Sequence, residues 1–161
     1  MPRRDHKHEV TIRWTGNQGQ GTASYTAYAR DYEITAAGSA KGVILGSSDP
    51  AFRGNPARWN PEELFIAAVS ACHKLWYLHL CATAEVIVAE YLDRASGVVA
   101  MTADGSGHFT SVTLRPEIVL TRHLDVEKAR ALHHEAHQKC FIANSIKTPV
   151  TVEPTFRALD V

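Results

Sequence analysis

The chain has 161 residues, 45% apolar and 21% charged, and its 17 Lys and Arg are balanced by 17 Asp and Glu. That length suits one compact domain over 1–161. The balanced charge gives no polycationic field and excludes nucleic acid and anionic membrane as default partners. The N-terminus shows no apolar core of signal-peptide length, and the longest apolar stretch, Leu64 to Ala71, is too short and interrupted to span a bilayer. A cytoplasmic protein is expected. There, three cysteines are core residues, metal ligands or reactive thiols instead of a disulfide framework.

Residues 1–8, with Arg3, Arg4 and Lys7 close to Asp5, read as a flexible solvated tail. Val10 to Trp14 reads as a strand. The turn from Thr15 to Gly21 follows, its three glycines offering positive φ. Thr22 to Thr35 alternates roughly and is rich in Tyr, Thr and Ala, so a second strand completing a hairpin is expected. Val43 to Leu45 predicts a third strand, and the prolines and glycine of Ser47 to Arg58 predict a loop.

Asn60 as N-cap, Pro61 at the first helical position and Glu63 in a capping-box pattern open a helix reaching about Ala84. Being apolar on nearly every face, it is expected to be buried on most sides. Val86 to Leu92 and Val98 to Met101 read as strands. His108 to Leu120 reads as a long strand bent at Pro116. Asp125 caps a second helix carrying Val126, Ala129, Leu132, Ala136 and Cys140 on one face. Ala143 to Ile146 reads as a helical turn and Thr148 to Phe156 as a closing edge strand. Strands in runs, not strictly alternating with helices, argue an α+β fold with a mostly antiparallel sheet.

Read from spacing alone, Cys72 and Cys81 are small apolar helix residues. Cys140 ends a helix near His134, His137 and Lys139, whose positive charge favours thiolate. His133 and His137, four apart on one helix face, could join Cys140 in a three-ligand metal site, which His73 and His79 of the first helix could also join. No Cys-x-x-Cys or His-Glu-x-x-His pattern supports it.

Asn60-Pro61-Glu62-Glu63-Leu64-Phe65 followed six residues later by Cys72 resembles the signature of the OsmC and organic hydroperoxide resistance family. Ala136-His137-x-x-Cys140 followed by Asn144-Ser145 is similar to the region of that family's second cysteine. The likeness runs from about Val10 to Glu153. It implies an intertwined α+β homodimer, with an antiparallel sheet wrapped on two long central helices and active sites at the interface. It also implies an antioxidant, thiol-dependent peroxidase without metal or flavin. Cys72 would attack a hydroperoxide and become a sulfenic acid, and Cys140 would close a Cys72–Cys140 disulfide. An external dithiol, for some relatives a lipoylated protein, would reopen it. Glu62 would hold an arginine that supports the thiolate. In the relatives that arginine lies in the Gly-rich hairpin turn, which here has none. Arg30 is the first replacement, with Arg53 and Arg58 as rivals, and each also reads as an exposed cation. The competing functions are a dimeric small-ligand or metal-binding module using His133, His137 and Cys140, and a cysteine hydrolase built on Cys72 and a histidine.

Overall fold

A computed structural model describes residues 5–159, so Arg3 and Arg4 of the expected tail lie outside the described residues. The chain falls into two compact units whose boundary, between Leu64 and Phe65, lies in the first turn of the long helix.

The first unit is a three-stranded antiparallel sheet of β1 (Thr11–Trp14), β2 (Tyr32–Thr35) and β3 (Ile44–Gly46), with β2 in the middle. The expected hairpin forms, but its second strand is far shorter than Thr22 to Thr35. The segment before Tyr32 folds on itself through Arg30, whose guanidinium donates to the carbonyls of Tyr28 at 2.7 Å and Tyr25 at 2.8 Å. Its charged carbon lies 4.2 Å and 4.3 Å from the centres of the same two rings. These charge-assisted bonds and ring contacts satisfy backbone that a ladder would otherwise pair. Gly16 is needed where this loop returns, because a Cβ there would lie 1.9 Å from the Ala29 carbonyl oxygen.

The second unit holds two three-stranded sheets. In one, β4 (Val88–Asp93), β7 (Pro116–Leu120) and β9 (Thr155–Ala158) lie in that order; in the other, β5 (Ser96–Met101), β6 (Gly107–Leu114) and β8 (Val150–Val152). Pro116 divides the predicted long strand into β6 and β7, and Pro154 divides the closing segment into β8 and β9. Each half joins a different sheet as expected of a residue that cannot donate to a ladder. β8 pairs with β6, and β9 with β7, in parallel. The sheets are therefore mixed and open, a correction to the simple antiparallel picture.

α1 (Pro61–Thr83) starts as expected: the Glu63 N–H donates to the Asn60 side chain at 2.8 Å, and the Asn60 N–H to the Glu63 carboxylate at 3.0 Å. α1 is long and apolar enough for a bilayer by those criteria alone. Its buried residues, Val69, His73, Tyr77, Leu80 and Cys81, nevertheless form one stripe packed on the protein's own strands and second helix. The opposite stripe, Ala68, Ala71, Leu75 and His79, is exposed, with Leu75 63% accessible. Burial on most sides is thus not met within one chain. α2 (Val126–Lys139) has 14 residues, so only one helix is long. Asp125 stands before it but makes no capping bond; its carboxylate instead receives Arg122, Nε to Oδ2 at 2.9 Å. The main core joins Tyr77, Leu80, Cys81, Val86, Ile118, Leu120, Ala129 and Ala136, which keeps Cys81 as a packing residue.

Candidate active site

In the second unit α1 and α2 bring two thiols together. Cys72 lies in mid-helix, partly buried, and Cys140 is 1% exposed at the C-terminal end of α2; both are reduced. Cys140 is placed by its own turn. Its N–H donates to the His137 carbonyl at 3.3 Å, its carbonyl accepts from Asn144 at 3.0 Å, and its sulfur accepts the Ala143 N–H at 3.4 Å. The 3₁₀ turn Ala143–Ser145 that follows is the one expected from sequence. Burial first, then a side-chain hydrogen bond with Cys72, push the Cys140 thiol up to about 11, while the Ala143 N–H acts in the opposite direction. Two reduced cysteines from different helices, near enough for one to shift the other, are the candidate pair of reactive thiols.

An apolar groove lined by Leu75, Trp76 and His79 runs along α1. Those residues stand three, four and seven positions after Cys72, hence on its side of the helix. The Trp76 ring meets Phe141 edge-on at 5.8 Å, and Phe141 is 68% exposed.

Of the histidines the sequence offers as metal ligands, His73 and His133 do meet, but directly with each other. His73 Nε2 and His133 Nδ1 share a hydrogen bond of 2.9 Å with both residues buried. The His133 ring stacks on Tyr77 with centroids 3.8 Å apart. Burial, then the nearby His137, hold His73 down at about 4. Burial, then His73 and Arg130, hold His133 down at about 3. The pair is therefore neutral at ordinary pH. The available signal was spacing: His73 sits midway between Val69 and Tyr77 on the buried stripe, and His133 midway between the buried Ala129 and the partly buried His137. Among the described residues no three His, Cys, Asp or Glu side chains converge as metal ligands. His133, proposed from sequence as one ligand, is engaged with His73.

The remaining predicted residues belong to the first unit. Glu62, in the first turn of α1, buries its Oε2 without a donor among the described residues. Tyr32 is raised above its ordinary value, by burial first and then by the Glu62 charge. Arg30 is closed on its own loop. Arg53 ends the 3₁₀ turn Pro50–Phe52 at φ 65° and lies 5.9 Å from the Tyr25 ring. Arg58 Nε pairs with Asp31 at 3.2 Å.

Residues 54–155 match the family model described as OsmC-like protein. The chain belongs to the OsmC-like family. An OsmC-like protein of unknown function from Vibrio cholerae is 31% identical, the match covering 94% of this chain and 100% of that one at a TM-score of 0.82. The organic hydroperoxide resistance protein OhrB of Bacillus subtilis shares the fold at 21% identity, covering 94% of this chain and 98% of that one, with a TM-score of 0.62. So does an organic hydroperoxide resistance protein from Elizabethkingia anophelis, at 19% identity, 96% and 98% coverage and a TM-score of 0.69. Among curated proteins, sequence comparison finds no match.

Proposed function

We propose that this OsmC-like protein is a cytoplasmic homodimeric peroxidase that reduces organic hydroperoxides, and hydrogen peroxide as a smaller substrate, without metal or flavin. The observation that supports the reading is that two free thiols on different helices lie near enough for Cys72 to raise Cys140. The Cys72 thiolate attacks the distal oxygen of the O–O bond. The bond breaks, the alkoxide leaves and takes a proton, and Cys72 becomes a sulfenic acid. Cys140 then attacks that sulfur, water leaves, and a disulfide forms. An external dithiol, such as a lipoyl group, returns two electrons and two protons. The groove of Leu75, Trp76 and His79 supports an apolar substrate.

Exposed apolar surface supports the dimer. Ile12, Ile44, Leu45 and Trp59 of the first unit and, separately, Leu75 of α1 are exposed in the single chain and are apolar surface that a second copy would cover. A second copy has the matching composition. Glu62 and Cys72 stand ten residues apart on one helix, about 15 Å of axial rise. Each Cys72 is therefore assigned the Glu62 of the other subunit. Subunit mixing tests this. Cys72→Ser and Glu62→Gln homodimers should both be nearly inactive, whereas a purified mixed dimer carries one intact site and regains about half the wild-type rate. A mixed dimer no more active than its parents would show that both groups act within one chain.

Cys140→Ser should consume one equivalent of hydroperoxide, then stall with Cys72 as a sulfenic acid open to overoxidation. Stopped-flow consumption with mass detection of the acid checks it. Undiminished steady turnover with a dithiol would remove Cys140 from the cycle.

A further inference from the structure

The second helix and the edge strand β8 enclose a space that the thiol chemistry does not use. This cavity, about 380 Å³ in volume, lies wholly within the second unit. Its helix wall is Arg130, His133, His134 and His137, which recur at steps of three and four residues and so share one face of α2. Among the described residues its lining includes no Asp or Glu, and neither Cys72 nor Cys140.

Two of these imidazoles are short of partners. His133 is 4% exposed, and its Nε2 is buried without a hydrogen bond among the described residues. His137 Nδ1 is in the same position. Buried polar atoms are nearly always paired, so two orphan nitrogens on residues of one cavity wall point to a ligand there.

The chemistry of the wall decides the sign of that ligand. His133 Nδ1 is held by His73 Nε2 at 2.9 Å. When His73 Nε2 donates, a neutral His133 carries its proton on Nε2, and that atom becomes a donor. Arg130 supplies further N–H donors and is loosely committed. Its Nε stands 3.9 Å from the Glu127 carboxylate, beyond hydrogen-bond length, and its side chain is 50% exposed. Its guanidinium carbon lies 4.9 Å from the centre of the Phe156 ring. After burial and His73, Arg130 is the next influence that holds His133 down. Its positive charge is thus felt at the ring, where it repels a metal cation and attracts an anion.

We propose that this cavity binds a small organic oxyanion, whose oxygens accept from Arg130, His133 Nε2 and His137 while Val150 and Val152 of β8 flank its carbon part. A carboxylate and a phosphate monoester share that chemistry, and a guanidinium fork suits both. The site is separate from the Cys72–Cys140 pair and does not depend on the peroxidase reading.

The test uses the full-length protein, isotope-labelled at its histidine nitrogens and followed by proton–nitrogen correlation spectra. It is titrated with n-propyl phosphate and with butyrate, and, as controls, with potassium chloride at matched ionic strength and with zinc chloride. One of the two oxyanions should move the His133 Nε2 resonance saturably to the protonated, hydrogen-bonded position, and chloride should not reproduce the shift. The tighter of the two identifies the head group as phosphate or carboxylate. Arg130→Gln, at an exposed position, should keep the parent's melting temperature and weaken the binding about tenfold, with Arg130→Lys in between because it keeps the charge and loses the fork. The absence of a saturable shift with either oxyanion up to about 50 mM would overturn the proposal. So would an equal shift with chloride, or an Arg130→Gln protein that binds as the parent does. Zinc binding at His133 and His137 without any response to the oxyanions would also overturn it, and would reassign the cavity to a metal.

Discussion

Replacing Cys72 by serine is expected to reduce hydroperoxide turnover by at least about 10³-fold, the scale seen when an enzyme loses its nucleophile. A serine hydroxyl at the same point of α1 is not ionised at neutral pH, and oxygen is a poor nucleophile toward a peroxide oxygen. Stability should change little, because the residue is only partly buried and the two side chains are nearly isosteric. The comparison is steady-state consumption of an organic hydroperoxide with a dithiol reductant, together with a thermal melt. A stable Cys72→Ser protein with the parent's turnover would mean the chemistry resides elsewhere. Cys81 is then the remaining helical thiol, but it is 1% exposed inside the core, where burial raises its pKa and disfavours the thiolate.

The second large effect concerns acid. In the unfolded chain histidines titrate near 6.5, whereas His73 and His133 stay neutral in the fold down to about 4 and about 3. Below pH 6.5 the unfolded chain therefore binds protons that the folded chain refuses. The stability associated with the pair is fully present above that pH and is lost as the pH falls. Each histidine contributes a slope of about 1.4 kcal/mol per pH unit below 6.5, so the loss at pH 5 is on the order of 4 kcal/mol for the two. That is a large part of the 5–15 kcal/mol typical of a domain. Urea titrations at pH 7 and pH 5 measure it. In His73→Leu/His133→Leu an apolar pair of comparable size replaces a buried polar one, which is near neutral at pH 7, and most of the acid slope should vanish. Equal stability of the parent at both values, or an unchanged slope in the double variant, would refute this account of the pair.

What could be read from sequence, and what could not, follows from the range of the interactions. The start of α1 was legible because its signals are local: Asn60, Pro61 and Glu63 complete each other's hydrogen bonds within four residues. The breaks at Pro116 and Pro154 are likewise local, since a missing N–H acts wherever the residue stands. The segment from Thr22 to Asp31 was misread as strand because alternation of Tyr, Thr and Ala is equally compatible with a loop held by one arginine. The clamp of Arg30 on Tyr25 and Tyr28 has no periodicity to reveal it. The parallel pairings of β8 and β9 are tertiary and leave no mark on the strands themselves. For the candidate site, no spacing rule linked Cys72 to Cys140, which are 68 residues apart in the chain. Only the likeness of the two flanking motifs joined them; in the structure Cys72 is among the groups that raise the Cys140 thiol. His73 and His133 were legible together only as candidate metal ligands, because the i, i+4 relation of His133 and His137 is local whereas a hydrogen bond between two helices leaves no spacing signal. The partner His133 actually uses lies on the other helix.

The central claim is that Cys72 and Cys140 form one redox unit, and it can be tested by oxidising the reduced protein with one equivalent of an organic hydroperoxide. Loss of two thiols per chain is expected, with a peptide pair linked through Cys72 and Cys140 in the digest, Cys81 still free, and one equivalent of the corresponding alcohol formed. Retention of all three thiols after the peroxide has been offered, or a linkage that includes Cys81, would contradict it.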